Sequence, residues 1–218
     1  MGERTLVLIK PDNFLFPTGR PGNVIDFFSR SGLSIVAIKV HRMSTAEAME
    51  FYGPVLDILR TKLNDAVGAR SAAILEKEFG FRVPDAFRKQ LGELMGPLSC
   101  EQQFVIIVRF MSGRTPGEVN EATRDEPGSQ KCIALVYEGV SAIRKIRDIL
   151  GPTDPSKAPP GSIRREFGSS IMVNAAHASD SPESAAREMG IVRLARENLF
   201  RKEIEAHFGD LRSPGSGS

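Results

Sequence analysis

The chain has no tryptophan, and aromatic residues make up only 7% of its 218 residues. Any core must therefore rest mainly on aliphatic side chains. Cysteine is scarce as well. Cys100 and Cys132 stand far apart, in neither a CxxC nor a CxxH setting, which argues against a disulfide framework or a zinc site. There is no large excess of charge of either sign: 29 Lys and Arg against 27 Asp and Glu leave +2. That balance gives no support to a generally basic nucleic-acid-binding surface. No apolar run approaches the roughly 20 residues that cross a bilayer. Met1-Gly2-Glu3-Arg4 lacks the apolar stretch and small-residue cleavage site of a secretion signal. Leu6 stands where N-myristoylation requires Ser or Thr. The cytoplasm is the expected compartment. Also missing are GxxxxGK[ST], a GxGxxG after a strand, HExxH and GxSxG, so four familiar catalytic and nucleotide-binding signatures are excluded.

What remains is the composition of a soluble globular chain, 41% hydrophobic and 26% charged, long enough for one large domain or two small ones. Thr5–Ile9 is β-prone and stops at Lys10-Pro11-Asp12, because Pro11 cannot continue a central ladder. Asn23–Arg30 reads as a helix ended by Gly32, and Leu33–Val40 as a second strand. Ser44-Thr-Ala-Glu47 is a capping box that opens a helix. Gly53-Pro54 predicts a break there and the start of another helix. Further helices are expected over Ser71–Phe79 and Pro84–Met95, the latter stopped by Gly96-Pro97. Ser99-Cys-Glu-Gln102 predicts a new helix carrying Phe104, Ile107, Val108 and Met111 up to Gly113. Residues 114–130 read as an exposed loop, Cys132–Tyr137 as a third strand, and Ile143–Leu150 as a helix ended by Gly151. Ser170–Asn174 reads as a short fourth strand, Ser181-Pro182 as a helix cap, and Ile191–Phe208 as a last amphipathic helix. The order β-α-β, several helices, β-α-β fits an α+β sandwich with helices on a sheet of about four strands.

Two constellations carry chemistry. His177 lies in Asn174-Ala-Ala-His-Ala-Ser-Asp-Ser-Pro-Glu183, flanked by small residues that permit close approach of a ligand. A neutral imidazole, with a reference pKa of about 6.5, is a competent nucleophile near neutrality. It needs one nitrogen aimed at the electrophile and the other held by an acceptor, for which Glu188 is available. Lys10, Arg147, Arg164 and Arg165, with Thr153 in the proline-stiffened loop Gly151–Gly161, form a cationic set suited to polyphosphate. Read from residue type alone, a histidine at a strand end is more often structural, and most Lys and Arg are solvated surface charges. His41 and His207 read as surface or helix-face residues.

Glu3-Arg-Thr-Leu-Val-Leu-Ile-Lys-Pro-Asp12, Val136-Tyr-Glu-Gly139, Gly151-Pro-Thr-Asp-Pro155, Pro160-Gly-Ser-Ile-Arg164 and Asn174–Glu183, in that order, together resemble a nucleoside diphosphate kinase. The resemblance covers roughly residues 3–52, 104–112 and 132–190. It implies a ferredoxin-like βαββαβ fold, a four-stranded antiparallel sheet covered by helices. It also implies transfer of the γ-phosphoryl group of a nucleoside triphosphate to a diphosphate through a phosphohistidine at His177. Glu188, Ser179 and Tyr52 are similar to the groups that support that histidine. Lys10, Arg147, Thr153 and Arg164 resemble the phosphate-binding set, Asn174 the ribose contact, and Phe104 the ring that stacks on the base. Mg²⁺, held largely by the nucleotide phosphates, and assembly into a homo-oligomer follow from the same likeness.

Gly53–Gln103, read as extra helices, and Gly113–Lys131, read as a loop, depart from the compact family pattern. The expectation is one domain over residues 1–212 carrying both insertions, then a flexible tail at 213–218. The alternative is a nucleotide-binding regulatory or scaffold protein of the same fold, acting through its helical insertion.

Overall fold

The structure, a computed structural model, describes residues 2–196. The chain divides into two compact units, one formed by Met1–Arg42 and Lys131–Ser218, the other by Met43–Gln130.

The first unit is built on a four-stranded sheet: β1 (Glu3–Ile9), β2 (Ser34–His41), β3 (Cys132–Gly139) and β4 (Ala176–Ala178). The spatial order is β2-β3-β1-β4, and every neighbouring pair is antiparallel. With consecutive side chains on opposite faces of the sheet, Val7 and Ile9 of β1 share a face with Leu135 and Tyr137 of β3. These pack with Val24 and Phe28 of α1 (Arg20–Ser29) and Ile146 and Leu150 of α4 (Ala142–Leu150). Leu6, Leu8, Ala134 and Val136, on the opposite face, are equally buried. Burial on both faces explains why β1 and β3 read as near-continuous apolar runs instead of alternating ones. The expected ferredoxin-like architecture is present.

One strand lies elsewhere than expected. Residues 170–173 are bends and Asn174 is irregular, and the fourth strand is Ala176–Ala178, so His177 is itself a strand residue. Ser169 and Ser170 both donate backbone N–H groups to the Val173 carbonyl. That tight loop consumes the backbone groups a strand would need. Ser181 caps α6 (Pro182–Ile191) as expected, its hydroxyl accepting from the Ser184 N–H at 3.0 Å. The final helix expected over Ile191–Phe208 does not begin within the described residues, since Ile191 is the last residue of α6. Residues 192–196 are not helical, and residues 197–208, His207 among them, lie outside the described residues, as does the tail at 213–218.

The second unit is dominated by an antiparallel helical hairpin, α2 (Thr45–Phe79) and α3 (Asp85–Ser112). At 1.5 Å per residue these are roughly 50 Å and 40 Å long. The Ser44–Glu47 capping box is formed in both directions, at 3.0 Å each. The expected breaks at Gly53-Pro54 and Gly96-Pro97 are absent, and no helix starts at Ser99: both prolines sit inside continuous helices. An internal proline costs about 3 kcal/mol through one lost hydrogen bond and a ring clash. Here the packing of two long helices against each other offsets it. That packing is close because glycines form the seam. A Cβ on Gly92 would stand 3.0 Å from the Asn64 carbonyl carbon, and one on Gly68 2.9 Å from the Gly92 nitrogen. Gly96, immediately before Pro97, would likewise collide with the Asn64 side chain. Gly96, which reads as a helix stop in sequence, is therefore a point of helix contact, whereas a Cβ on Gly53 would meet nothing within 4 Å. The hairpin turns at Gly80 (φ +72°), where Glu76 accepts from the Val83 N–H and from Arg88 at 2.8 and 2.9 Å. Those two bonds hold the Glu76 carboxyl below its ordinary range.

Candidate active site

β4 is short, and its placement is set by β1. Leu8 pairs with His177 and Ile9 with Ala176. The last residue before Pro11, Lys10, continues that register by donating its backbone N–H to the Ala175 carbonyl at 2.9 Å. One strand end thus brings Lys10, Asn174 and His177 together across more than 160 residues of sequence.

His177 is half-buried, and its Nε2 meets Glu188 Oε2 at 2.9 Å. Glu188, on α6, is buried, and the same Oε2 accepts from the Ser179 hydroxyl at 2.7 Å. Arg187 lies 3.4 Å from its other oxygen. Ser179 is tied to β1, since its Oγ also accepts from the Leu6 N–H at 3.3 Å. With the Glu188 carboxylate as acceptor, Nε2 is the donor in this contact. The neutral tautomer that donates from Nε2 has its lone pair on Nδ1. The Ser181-Pro182 cap starts the helix that carries Glu188 back over the strand, one to two turns later.

Lys10 is buried, and its ammonium donates to Asn174 Oδ1 at 2.9 Å and to the Met172 carbonyl. Burial pulls its pKa down to about 8; Asp12 nearby raises it and Arg164 lowers it. The Asn174 amide donates to the Thr153 and Ile171 carbonyls at 3.0 and 2.8 Å. Asn174 therefore joins Lys10 to the stiff loop that carries Thr153. Arg164, on α5 (Ile163–Phe167), donates to the Gly151 carbonyl at 2.9 Å and to the Ala176 carbonyl at 3.1 Å. With five N–H groups in its fork, it staples the Gly151 loop to the strand of His177. Arg147, exposed in the last turn of α4, lines a surface cavity with Glu3, Arg144 and Asp180. The Asp180 carboxyl is held below its ordinary range, first by the Ser184 hydroxyl, with Arg147 and His177 contributing.

Eight of the ten expected site residues thus belong to the first unit, and Lys10, Thr153, Arg164, Asn174, His177, Ser179 and Glu188 are joined there by direct or shared contacts. Arg147 enters through its charge on Asp180. Tyr52, buried against Phe51 at 5.0 Å between ring centroids, is on α2, and half-buried Phe104 is on α3, both in the second unit. Their roles rest on the sequence resemblance. The expectation did not include Asp12, Asn13, Arg20 or Asp180. Asp12 and Asp180 lie inside the quoted motifs, which was the available signal.

The strand register and the carboxylate-held imidazole gather most of the expected residues around His177 at one end of a ferredoxin-like sheet. Comparison with known proteins agrees. The family model described as nucleoside diphosphate kinase matches residues 3–57 and 121–197. A nucleoside diphosphate kinase of Staphylothermus marinus is 34% identical over 190 residues, 87% of this chain and 92% of its own. That of Bordetella pertussis is 30% identical over 205 residues, 94% of this chain and 96% of its own. Among solved structures, the nucleoside diphosphate kinase of Aquifex aeolicus superposes with a TM-score of 0.52 at 30% identity, covering 88% of this chain and 95% of that one. An NDP kinase from Pyrobaculum aerophilum gives 0.54 at 26% identity, covering 93% and 98%. The chain belongs to the nucleoside diphosphate kinase family. Residues 58–120, which contain most of the helical hairpin, fall between the two matched segments.

Proposed function

We propose that this kinase transfers the γ-phosphoryl group from a nucleoside triphosphate to a nucleoside diphosphate through a covalent intermediate on His177 Nδ1. The observation that carries the reading is the 2.9 Å contact between His177 Nε2 and a Glu188 carboxylate that Ser179 holds in place. Nδ1 attacks phosphorus, the N–P bond forms, and the bond to the β-phosphate oxygen breaks, releasing a diphosphate. As the bond forms, positive charge grows on the ring, and the Glu188 carboxylate meets it. Lys10, Arg147 and Arg164 neutralise the phosphate oxygens, with Thr153 and Asn174 positioning them. The second half-reaction reverses these steps with a different diphosphate. Mg²⁺ belongs to the same reading. No group of three His, Cys, Asp or Glu side chains gathers among the described residues, so the ion would arrive on the nucleotide phosphates, and no step here runs through it. Tyr52 beside the histidine, Phe104 on the base, a homo-oligomer, a cytoplasmic location and a single domain with insertions follow from the family likeness. Among the described residues, no helix is long and apolar enough to cross a membrane.

Two-substrate kinetics test the reading. Varying triphosphate at several fixed diphosphate concentrations should give parallel double-reciprocal lines, the pattern of a substituted-enzyme mechanism. Intersecting lines, which require both nucleotides bound together, would sink it.

The lowered pKa of Lys10 gives a signed pH dependence. The charged ammonium attracts phosphate, and in the free enzyme it is lost as pH rises through about 8. Bound phosphate favours the charged form, so the limb moves to higher pH in the complex. kcat/KM should therefore decline above about pH 8 while kcat stays level through the same range. Lys10→Gln should remove that limb and lower kcat/KM on the order of 10²-fold.

A further inference from the structure

Between Asn174 and the strand of His177 the backbone does something costly. Ala175 has φ +69°, one of three non-glycine residues with positive φ among those described. The Ala176 N–H bonds the Asn174 carbonyl at 2.8 Å, closing a three-residue turn around it. A γ-turn with positive central φ is the rare, strained form, and such strain persists only where its surroundings hold it. Ala175 is completely buried and both of its backbone polar groups are gripped. Its N–H donates to Asp12 Oδ2 at 3.1 Å. Its carbonyl accepts from Asn13 Nδ2 at 2.7 Å and from the Lys10 N–H at 2.9 Å. Asp12 and Asn13 are themselves buried in the tight turn Pro11–Phe14 that follows β1. Arg20 closes the outer side: its Nε donates to Asn13 Oδ1 at 3.0 Å, it lies 3.8 Å from Asp12, and its guanidinium donates to the Phe167 carbonyl and lies over the Phe167 ring.

We propose that Asp12, with Asn13, is a positioning residue for phosphotransfer, clamping Ala175 in its left-handed turn so that the imidazole of His177 and the Lys10–Asn174 pair face one phosphate. The inference rests on the reading of His177 as phosphoryl acceptor. The physical logic is local. Asn174 and His177 are three residues apart and would diverge along an ordinary extended strand. The turn at Ala175 redirects the chain between them, and the segment that follows β1, Lys10 to Asn13, grips both backbone polar groups of Ala175. Without the clamp, Ala175 relaxes toward negative φ, and the strand ending in His177 shifts relative to Lys10. Attack on phosphorus depends on in-line geometry, and a displacement near 1 Å costs on the order of 10²-fold. Asp12 has a second, separable effect. Its charge raises the Lys10 pKa against the lowering from burial and from Arg164, while Arg20 lies on its far side.

The test is single-turnover phosphorylation of the full-length protein by a nucleoside triphosphate with Mg²⁺, with substrate saturation and pH profiles. Asp12→Ala should slow phosphorylation on the order of 10²-fold with little change in half-saturation. Asp12→Asn keeps an acceptor for the Ala175 N–H, so it should recover most of the rate. Because it drops the charge, it should move the alkaline limb of kcat/KM to lower pH. Ala175→Gly adopts positive φ without strain, and in the Asp12→Ala background it should restore at least about tenfold. If Asp12→Ala does not fold, Asn13→Ala carries the test, with a drop of tenfold or more expected. Wild-type rates in Asp12→Ala or Asn13→Ala, or an Asp12→Asn variant as slow as Asp12→Ala, would overturn the proposal. If the unmodified protein itself acquires no phosphohistidine, the reading of His177 fails instead, and the two failures are distinct.

Discussion

His177→Ala should abolish nucleotide-to-nucleotide phosphotransfer, by about 10⁴-fold or more, while nucleotide affinity changes only a few-fold. The size follows from the role. Removing a covalent nucleophile eliminates the intermediate, and removal of a nucleophile elsewhere costs on the order of 10⁶-fold. Affinity should survive because Lys10, Arg147, Arg164, Thr153 and Asn174 supply the phosphate contacts in this reading. The fold should survive too. His177 is held in β4 by backbone pairing with Leu8, and its side chain is only half-buried. Removal leaves the Glu188 carboxylate bonded to Ser179 and beside Arg187. Equilibrium binding of a nucleoside diphosphate measured beside turnover separates the two effects. A parallel loss of affinity would mean that the imidazole binds nucleotide rather than reacting with it.

The second large effect concerns the hairpin. Gly92→Ala looks stabilising by helix propensity, since glycine inside a helix costs about 1 kcal/mol relative to alanine. The contact geometry reverses that sign. The new Cβ would lie 3.0 Å from the Asn64 carbonyl carbon and closer still to its oxygen. Both atoms are backbone inside α2, so they can move only if the helices separate. Overpacking of this kind costs about 1–3 kcal/mol, occasionally more, and it exceeds the propensity gain. Gly92→Val adds volume and β-branching and should cost more than Gly92→Ala. Thermal or denaturant unfolding of the two variants should rank them below the wild type in that order. A Gly92→Ala protein more stable than wild type would mean that α2 and α3 do not pack on this seam.

These two cases also mark what was readable from sequence. β1, β2 and β3 were legible because each is a short apolar run bounded by proline or glycine. The Ser44–Glu47 and Ser181 caps were legible because a cap is a local chemical event. Pro54 and Pro97 were misread because proline and glycine report backbone cost alone, and the compensation comes from the partner helix beyond the turn at Gly80. β4 was misplaced because Ile171, Met172 and Val173 look strand-like. The strand is instead the Ala-His-Ala segment that β1 recruits through Leu8 and Ile9. In the site, His177 and Glu188 were legible together because 11 residues and one helix cap separate them. The clamp on Ala175 was not. Nothing local requires an alanine to adopt positive φ, and the group that holds its N–H lies 163 residues earlier.

The most direct test of the account is a map of phosphate on the protein after mixing with a nucleoside triphosphate and Mg²⁺ in the absence of diphosphate. The account expects one acid-labile phosphoryl group, located on His177 and discharged on addition of a nucleoside diphosphate. A protein that turns over while carrying no phosphate, or carrying it on a residue other than His177, would contradict it.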